Sequence, residues 1–144
     1  MKQHSATAKW NKGLKDGIGE VTTGNGTVKS KYSFETRFGE GKDGTSPEEL
    51  IGAALSGCFS MFLSSVAEKK GLSPEYVKSD AKVYLGQKDG AAHIMKIELF
   101  TEAVIPGVED AAFQEMVKES KANCPASKAL AAVPEVTVQA TLKK

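Results

Sequence analysis

Much of what narrows the reading of this chain is what it has little of. Its 144 residues include only two cysteines and two histidines. A disulfide-stapled secreted scaffold needs more thiols than that. A zinc centre needs them paired, yet His4, Cys58, His93 and Cys124 show no C-x-x-C or H-x-x-x-H spacing, so no metal is expected. Charge of one sign is also missing: 19 Lys and Arg nearly cancel 18 Asp and Glu, which gives no reason to expect nucleic acid or an anionic membrane as partner. The opening stretch MKQHSATAKW carries no apolar core of a leader peptide. The longest mostly apolar run, Leu50–Leu63, is shorter than the ~20 residues of a spanning helix and contains Gly and Ser. A soluble, cytoplasmic protein is the expectation. In that reducing compartment two cysteines are more often free or catalytic than permanently bridged. The remaining composition, 40% hydrophobic and 26% charged, is that of an ordinary globular chain, and the length suits one domain, 1–144, around a single core. No internal repeat, low-complexity tract or linker interrupts it.

What is present alternates between strand and helix patterns. Ser5–Trp10 alternates with Ala6, Ala8 and Trp10 on one side. Glu20–Thr23 and Thr27–Phe38 are rich in β-branched and aromatic residues, and Gly24-Asn25-Gly26 between them suits a tight hairpin. In the third of these strands Tyr32, Phe34, Thr36 and Phe38 are predicted on one face, with Ser33, Glu35 and Arg37 on the other. A glycine-rich loop, 39–44, leads to Ser46-Pro47-Glu48-Glu49, which has the N-cap, N1 proline and acidic first turn of a helix. Leu50, Ala54, Leu55, Cys58, Phe59, Phe62 and Val66 then recur at helical spacing up to Gly71. Asp80–Gly86 and His93–Ile105 read as a second hairpin turning near Lys88-Asp89-Gly90. A second helix is predicted over Val108–Ala122, a short helical turn after Cys124-Pro125, and a last strand over Glu135–Leu142. The predicted order is βββ–α–ββ–α–(α)–β, an α+β fold with antiparallel sheets.

Two motifs invite readings the context does not support. Gly39-x-Gly41-x-x-Gly44 matches a dinucleotide fingerprint but follows a hairpin series with no parallel βαβ unit, and no phosphate-loop lysine is near. No serine sits on a Gly-x-Ser-x-Gly elbow. The thiols are more informative. Cys58 on an apolar helix face is, taken singly, a small buried hydrophobe. Cys124 lies just after the second helix and before Pro125, at the start of another helical turn, where exposed amides favour a thiolate. One thiol shielded in a helix and one at a junction is the arrangement that a peroxidatic and a resolving cysteine need. A buried thiol requires a nearby cation to ionise at neutral pH. Arg37 is the candidate, with Glu48 or Glu49 to hold it; the alternative is a solvated strand-end arginine with two dipole-complementing surface carboxylates. Glu48 and Cys58 are ten residues apart, ~15 Å along one helix, so they share a site only if two copies of the helix lie antiparallel. Gly52, Ala53, Ser56 and Gly57 are small enough to allow that approach in an isologous dimer.

Taken together, Phe34-Glu35-Thr36-Arg37-Phe38, Ser46-Pro47-Glu48-Glu49-Leu50-Ile51-Gly52-Ala53-Ala54, Gly57-Cys58-Phe59-Ser60-Met61, Val104-Ile105-Pro106-Gly107-Val108 and Asn123-Cys124-Pro125-Ala126-Ser127 make the chain resemble the OsmC/Ohr family of thiol peroxidases, in its OsmC branch. The resemblance covers essentially the whole chain and departs at no chemical position. It implies an intertwined α+β homodimer with antiparallel sheets wrapped around central helices. It implies reduction of organic hydroperoxides, and less well of hydrogen peroxide, to alcohols in oxidative or osmotic stress defence. It implies Cys58 as peroxidatic thiol, Cys124 as its resolving partner in a Cys58–Cys124 disulfide, Arg37 as activating cation and Glu48 as the carboxylate orienting it. The implied reductant is a dithiol, such as the dihydrolipoyl group of a lipoylated protein, and no cofactor is implied. The apolar residues Leu55, Phe59, Met61 and Phe62 are candidates for an alkyl-chain pocket. The competing expectation is a redox-responsive or ligand-binding module that uses the same thiols without turnover, and beyond it a plain structural dimer.

Overall fold

A computed structural model describes residues 1–144. Along the chain it places β1 (Ala6–Asn11), β2 (Ile18–Thr23), β3 (Lys29–Ser33), α1 (Phe34–Phe38), α2 (Pro47–Lys69), β4 (Tyr76–Lys88), β5 (Ala91–Val104), α3 (Asp110–Asn123), α4 (Pro125–Ala129) and β6 (Glu135–Lys143). Backbone packing groups these into two compact units, Met1–Leu50 and Ile51–Lys144.

The first unit is an antiparallel sheet in the order β1-β2-β3. Its β2–β3 turn is closed by Thr23 N–H donating to the Val28 carbonyl at 2.9 Å, and Asn25 Oδ1 accepts from Thr27 N at 3.0 Å. The strand predicted to run to Phe38 stops at Ser33, and Phe34–Phe38 is the single helical turn α1. The cause is a reciprocal cap. Ser33 Oγ accepts from Thr36 N at 3.2 Å, and Thr36 Oγ1 accepts from Ser33 N at 2.8 Å. Two capped amides outweigh the strand preference of phenylalanine and threonine here. Arg37 therefore sits in the last turn of a helix rather than at a strand end, and the two-faced alternation predicted for 34–38 does not hold. The glycine-rich loop closes back onto this turn, with Gly39 and Gly41 N–H both donating to the Glu35 carbonyl. A Cβ on Gly41 would lie 2.8 Å from Glu35 Cβ, so the Gly-x-Gly spacing serves chain packing.

The second unit has sheet order β4-β5-β6. β4 and β5 form a long hairpin through Asp89 and Gly90, whose φ angles of 52° and 77° are those of a tight two-residue turn. β6 pairs with β5 in parallel, from Lys96↔Glu135 to Val104↔Lys143. The other strand pairs are antiparallel as expected. The exception arises because β5 and β6 are joined by a crossover through α3 and α4 instead of a hairpin. The inward row of β5 (Ile97, Leu99, Ala103) meets Leu55, Phe59, Leu63, Val66 and Ala67 of α2 and Phe113, Met116 and Val117 of α3. Cys124 belongs to this core. A chain of hydroxyls crosses the same helix–sheet contact: Ser60 Oγ donates to Ser79 Oγ at 2.9 Å, which lies 2.8 Å from Thr101 Oγ1.

Helix α2 has its predicted cap, with Ser46 Oγ accepting from Glu49 N at 3.1 Å. At 23 residues it extends past the apolar run seen in the sequence and is long and apolar enough to cross a membrane by length and composition. One face nevertheless belongs to the core, while Ala53, Ala54, Gly57 and Met61 stay exposed. The small residues predicted to admit a second helix divide accordingly. Gly52 faces the chain's own sheet, where a Cβ would be in ordinary contact with Ala81 Cβ and Val83 Cγ2 at 3.4 Å. Gly57 faces open space.

Candidate active site

The functional side chains assemble as two pairs, one in each unit. In the first, Glu48 stands in the opening turn of α2 with its side chain 8% exposed. Its carboxylate receives Arg37 Nη2 at 2.8 Å and Nε at 3.0 Å on Oε1, with Nε also 3.3 Å from Oε2. The exposed amides of the helix start favour the same negative charge. The buried carboxylate thus has a fork of donors, and the guanidinium is fixed in direction while remaining partly open. The guanidinium carbon also lies 5.1 Å from the centroid of the Phe38 ring, and Phe38 contacts Phe34 at 5.1 Å between ring centroids. Arg37 forms part of an open cleft of about 230 Å³ with Trp10, Leu14, Tyr32, Phe34 and Phe38.

The second pair is the thiols. Cys58 Sγ and Cys124 Sγ are 2.9 Å apart and share an S–H···S hydrogen bond, both cysteines being free. They differ in access: Cys124 is 0% exposed, whereas Cys58 is only half-buried. They also differ in charge preference. Burial, and then the hydrogen bond with Cys124, pushes the Cys58 thiol above its ordinary range. Burial acts on Cys124 in the same sense, but hydrogen bonds from Cys58, from the amide and hydroxyl of Ser127 and from the Ala126 amide outweigh it and hold Cys124 below its ordinary value. Access therefore selects Cys58 as the sulfur that meets a substrate, while charge on this pair rests more easily on Cys124. Placing a thiolate on Cys58 takes a cation beside it.

All four sequence-predicted residues thus have partners: Arg37 with Glu48, and Cys58 with Cys124. Glu49, the alternative holder of Arg37, instead accepts from Thr45 Oγ1 at 2.8 Å. Leu55 and Phe59, considered for an alkyl pocket, are core residues at 1% and 0% exposure; Phe62 is half-buried and Met61 exposed. The aromatic cleft beside Arg37 and the hydroxyl of Ser127 were not identified from sequence. The cleft gathers β1, β3 and α1 across more than twenty residues, and only the aromatic clustering of 32–38 hinted at it. No group of three or more His, Cys, Asp or Glu side chains is gathered as a metal cage.

Against known proteins, a family profile described as OsmC-like protein matches residues 39–139. The chain is 41% identical over 137 residues to peroxiredoxin OsmC of Escherichia coli (strain K12), covering 94% of each chain. It is 35% identical over 122 residues to an organic hydroperoxide resistance protein of Xanthomonas axonopodis pv. citri (strain 306), covering 83% of this chain and 84% of that one. Among solved structures, an organic hydroperoxide resistance protein from Elizabethkingia anophelis is similar with a TM-score of 0.75 and 26% identity, over 100% of this chain and 97% of the other.

Proposed function

The chain belongs to the OsmC-like protein family, and from that premise we propose that it is a cytoplasmic two-cysteine peroxidase that reduces organic hydroperoxides to alcohols in stress defence. The family match and its relatives span both units, which supports treating 1–144 as one functional domain. The observation that carries the reading is the 2.9 Å contact between a reachable Cys58 and a fully buried Cys124. The Cys58 thiolate attacks the distal peroxide oxygen, the O–O bond breaks, the alkoxide leaves as alcohol after taking a proton, and Cys58 becomes a sulfenic acid. The Cys124 sulfur then attacks it, water leaves, and the Cys58–Cys124 disulfide forms before further oxidation. A dithiol, for which dihydrolipoyl groups on a lipoylated protein are suitable, returns both thiols by exchange.

The cation that Cys58 requires is Arg37 of the partner subunit in a homodimer, oriented by Glu48 of the partner subunit. Support comes from surfaces a lone chain leaves open. No hydrophobic side chain of Met1–Leu50 is buried, although Leu14, Ile18, Val28 and Phe38 are large and exposed; a three-stranded sheet needs an apolar face covered to be stable. The open Ala53, Gly57 and Met61 face of α2 offers a second such surface. The aromatic cleft beside Arg37 suits an alkyl chain, which favours organic hydroperoxides over hydrogen peroxide. No metal or other cofactor enters this scheme.

Steady-state assays with an alkyl hydroperoxide and dihydrolipoamide test it. Cys58→Ser is expected to lose turnover, and Cys124→Ser, in the absence of reductant, to consume one equivalent and stop at the sulfenic acid. Full turnover by Cys58→Ser sinks the assignment. Loss of two thiols without reductant-driven cycling in the wild type moves the reading to a redox-responsive module.

A further inference from the structure

The two sulfurs of the disulfide are not equivalent targets for the reductant. Thiol–disulfide exchange depends on which sulfur can be reached and on which departs more readily as thiolate. Cys124 is fully buried in the core formed by α2, α3 and β5, whereas Cys58 is half-buried on α2. Hydrogen bonds from the amides at the start of α4 also favour negative charge on the Cys124 sulfur, which helps it depart.

We propose that the incoming thiolate attacks Cys58 and that Cys124 is the leaving group. The inference rests on the two-cysteine reading. In the first exchange, the reductant thiolate forms a bond to Cys58 Sγ, the Cys58–Cys124 bond breaks, and its electron pair leaves on Cys124. The product is a mixed disulfide between Cys58 and the reductant. The second thiol of the reductant, deprotonated, then attacks the reductant sulfur of that mixed disulfide. The Cys58 thiolate is released, and the reductant departs as its own disulfide, two electrons having passed to the protein. Dithiols are therefore favoured over monothiols, because the second step must outrun reclosure by Cys124, which lies beside Cys58.

The protein disulfide can be made without any peroxide by diamide, which takes two hydrogens from the thiol pair. This separates the test from the parent reading: failure of an alkyl hydroperoxide to form the disulfide sinks the peroxidase, while the diamide-made bond still reports the direction of attack. The oxidised protein is mixed with limiting 2-mercaptoethanol, quenched rapidly with excess iodoacetamide and peptide-mapped by mass. The expected result is mercaptoethanol on Cys58 and carbamidomethyl on Cys124. Mercaptoethanol on Cys124, or equally on both, overturns the proposal.

Discussion

Arg37 and Glu48 form the charged pair whose geometry is most demanding. Both contacts to Glu48 Oε1 use different nitrogens of one planar group, which an ammonium cannot reproduce. Arg37→Lys should therefore retain the charge yet lose most peroxidase activity. The pH dependence follows from the direction of the Cys58 shift. Burial and the Cys124 hydrogen bond raise that thiol, so without a cation the unreactive protonated form dominates at neutral pH, and thiolate accumulates only above the ordinary thiol range. In a Cys124→Ser background, where burial still acts, Arg37→Ala is expected to move the midpoint of Cys58 alkylation by iodoacetamide to higher pH. The rate at pH 7 should fall about tenfold for each unit of that shift. An unchanged midpoint would remove Arg37 from the site. At this scale the sequence was most legible where chemistry restricts residue type. Thiols, a cation and a carboxylate are few enough to enumerate. The aromatic cleft was not legible, because its residues come from β1, β3 and α1 and meet only once those elements are folded.

Elements were legible where local signals agreed and failed where two competed. Ser46-Pro47-Glu48-Glu49 started α2 as expected because cap, proline and dipole point the same way. Residues 34–38 carry strand-forming side chains and also a Ser-x-x-Thr cap, and the cap prevailed. The hydroxyl chain from Ser60 through Ser79 to Thr101 links α2 to both long strands and keeps each buried oxygen partnered. Ser79→Ala removes the shared member and leaves both neighbours short of a partner. Urea unfolding should show a loss of about 1–3 kcal/mol, and Ser79→Thr should recover part of it. A loss within experimental error would mean that water reaches these groups.

For the molecule as a whole, the sequence pattern could not distinguish parallel from antiparallel pairing, since the period of two is the same in both; β6 was found correctly and paired in the unexpected sense. Nor could spacing alone separate a glycine that faces the chain's own sheet, Gly52, from one facing outward, Gly57. That distinction gives a test of the proposed homodimer. Gly57→Leu has room within its own chain and should fold, while weakening self-association at least tenfold in sedimentation equilibrium and reducing peroxidase activity at low protein concentration. A Gly57→Leu protein that remains as dimeric and active as the parent places the interface elsewhere. The parallel crossover also has a consequence for how the thiols meet. Cys124 travels on the segment between β5 and β6, 66 residues along the chain from Cys58. The β4–β5 hairpin closes locally, whereas β6 reaches β5 across α3 and α4. The meeting of the two sulfurs is therefore a long-range closure, and whatever loosens the crossover parts them without touching either thiol.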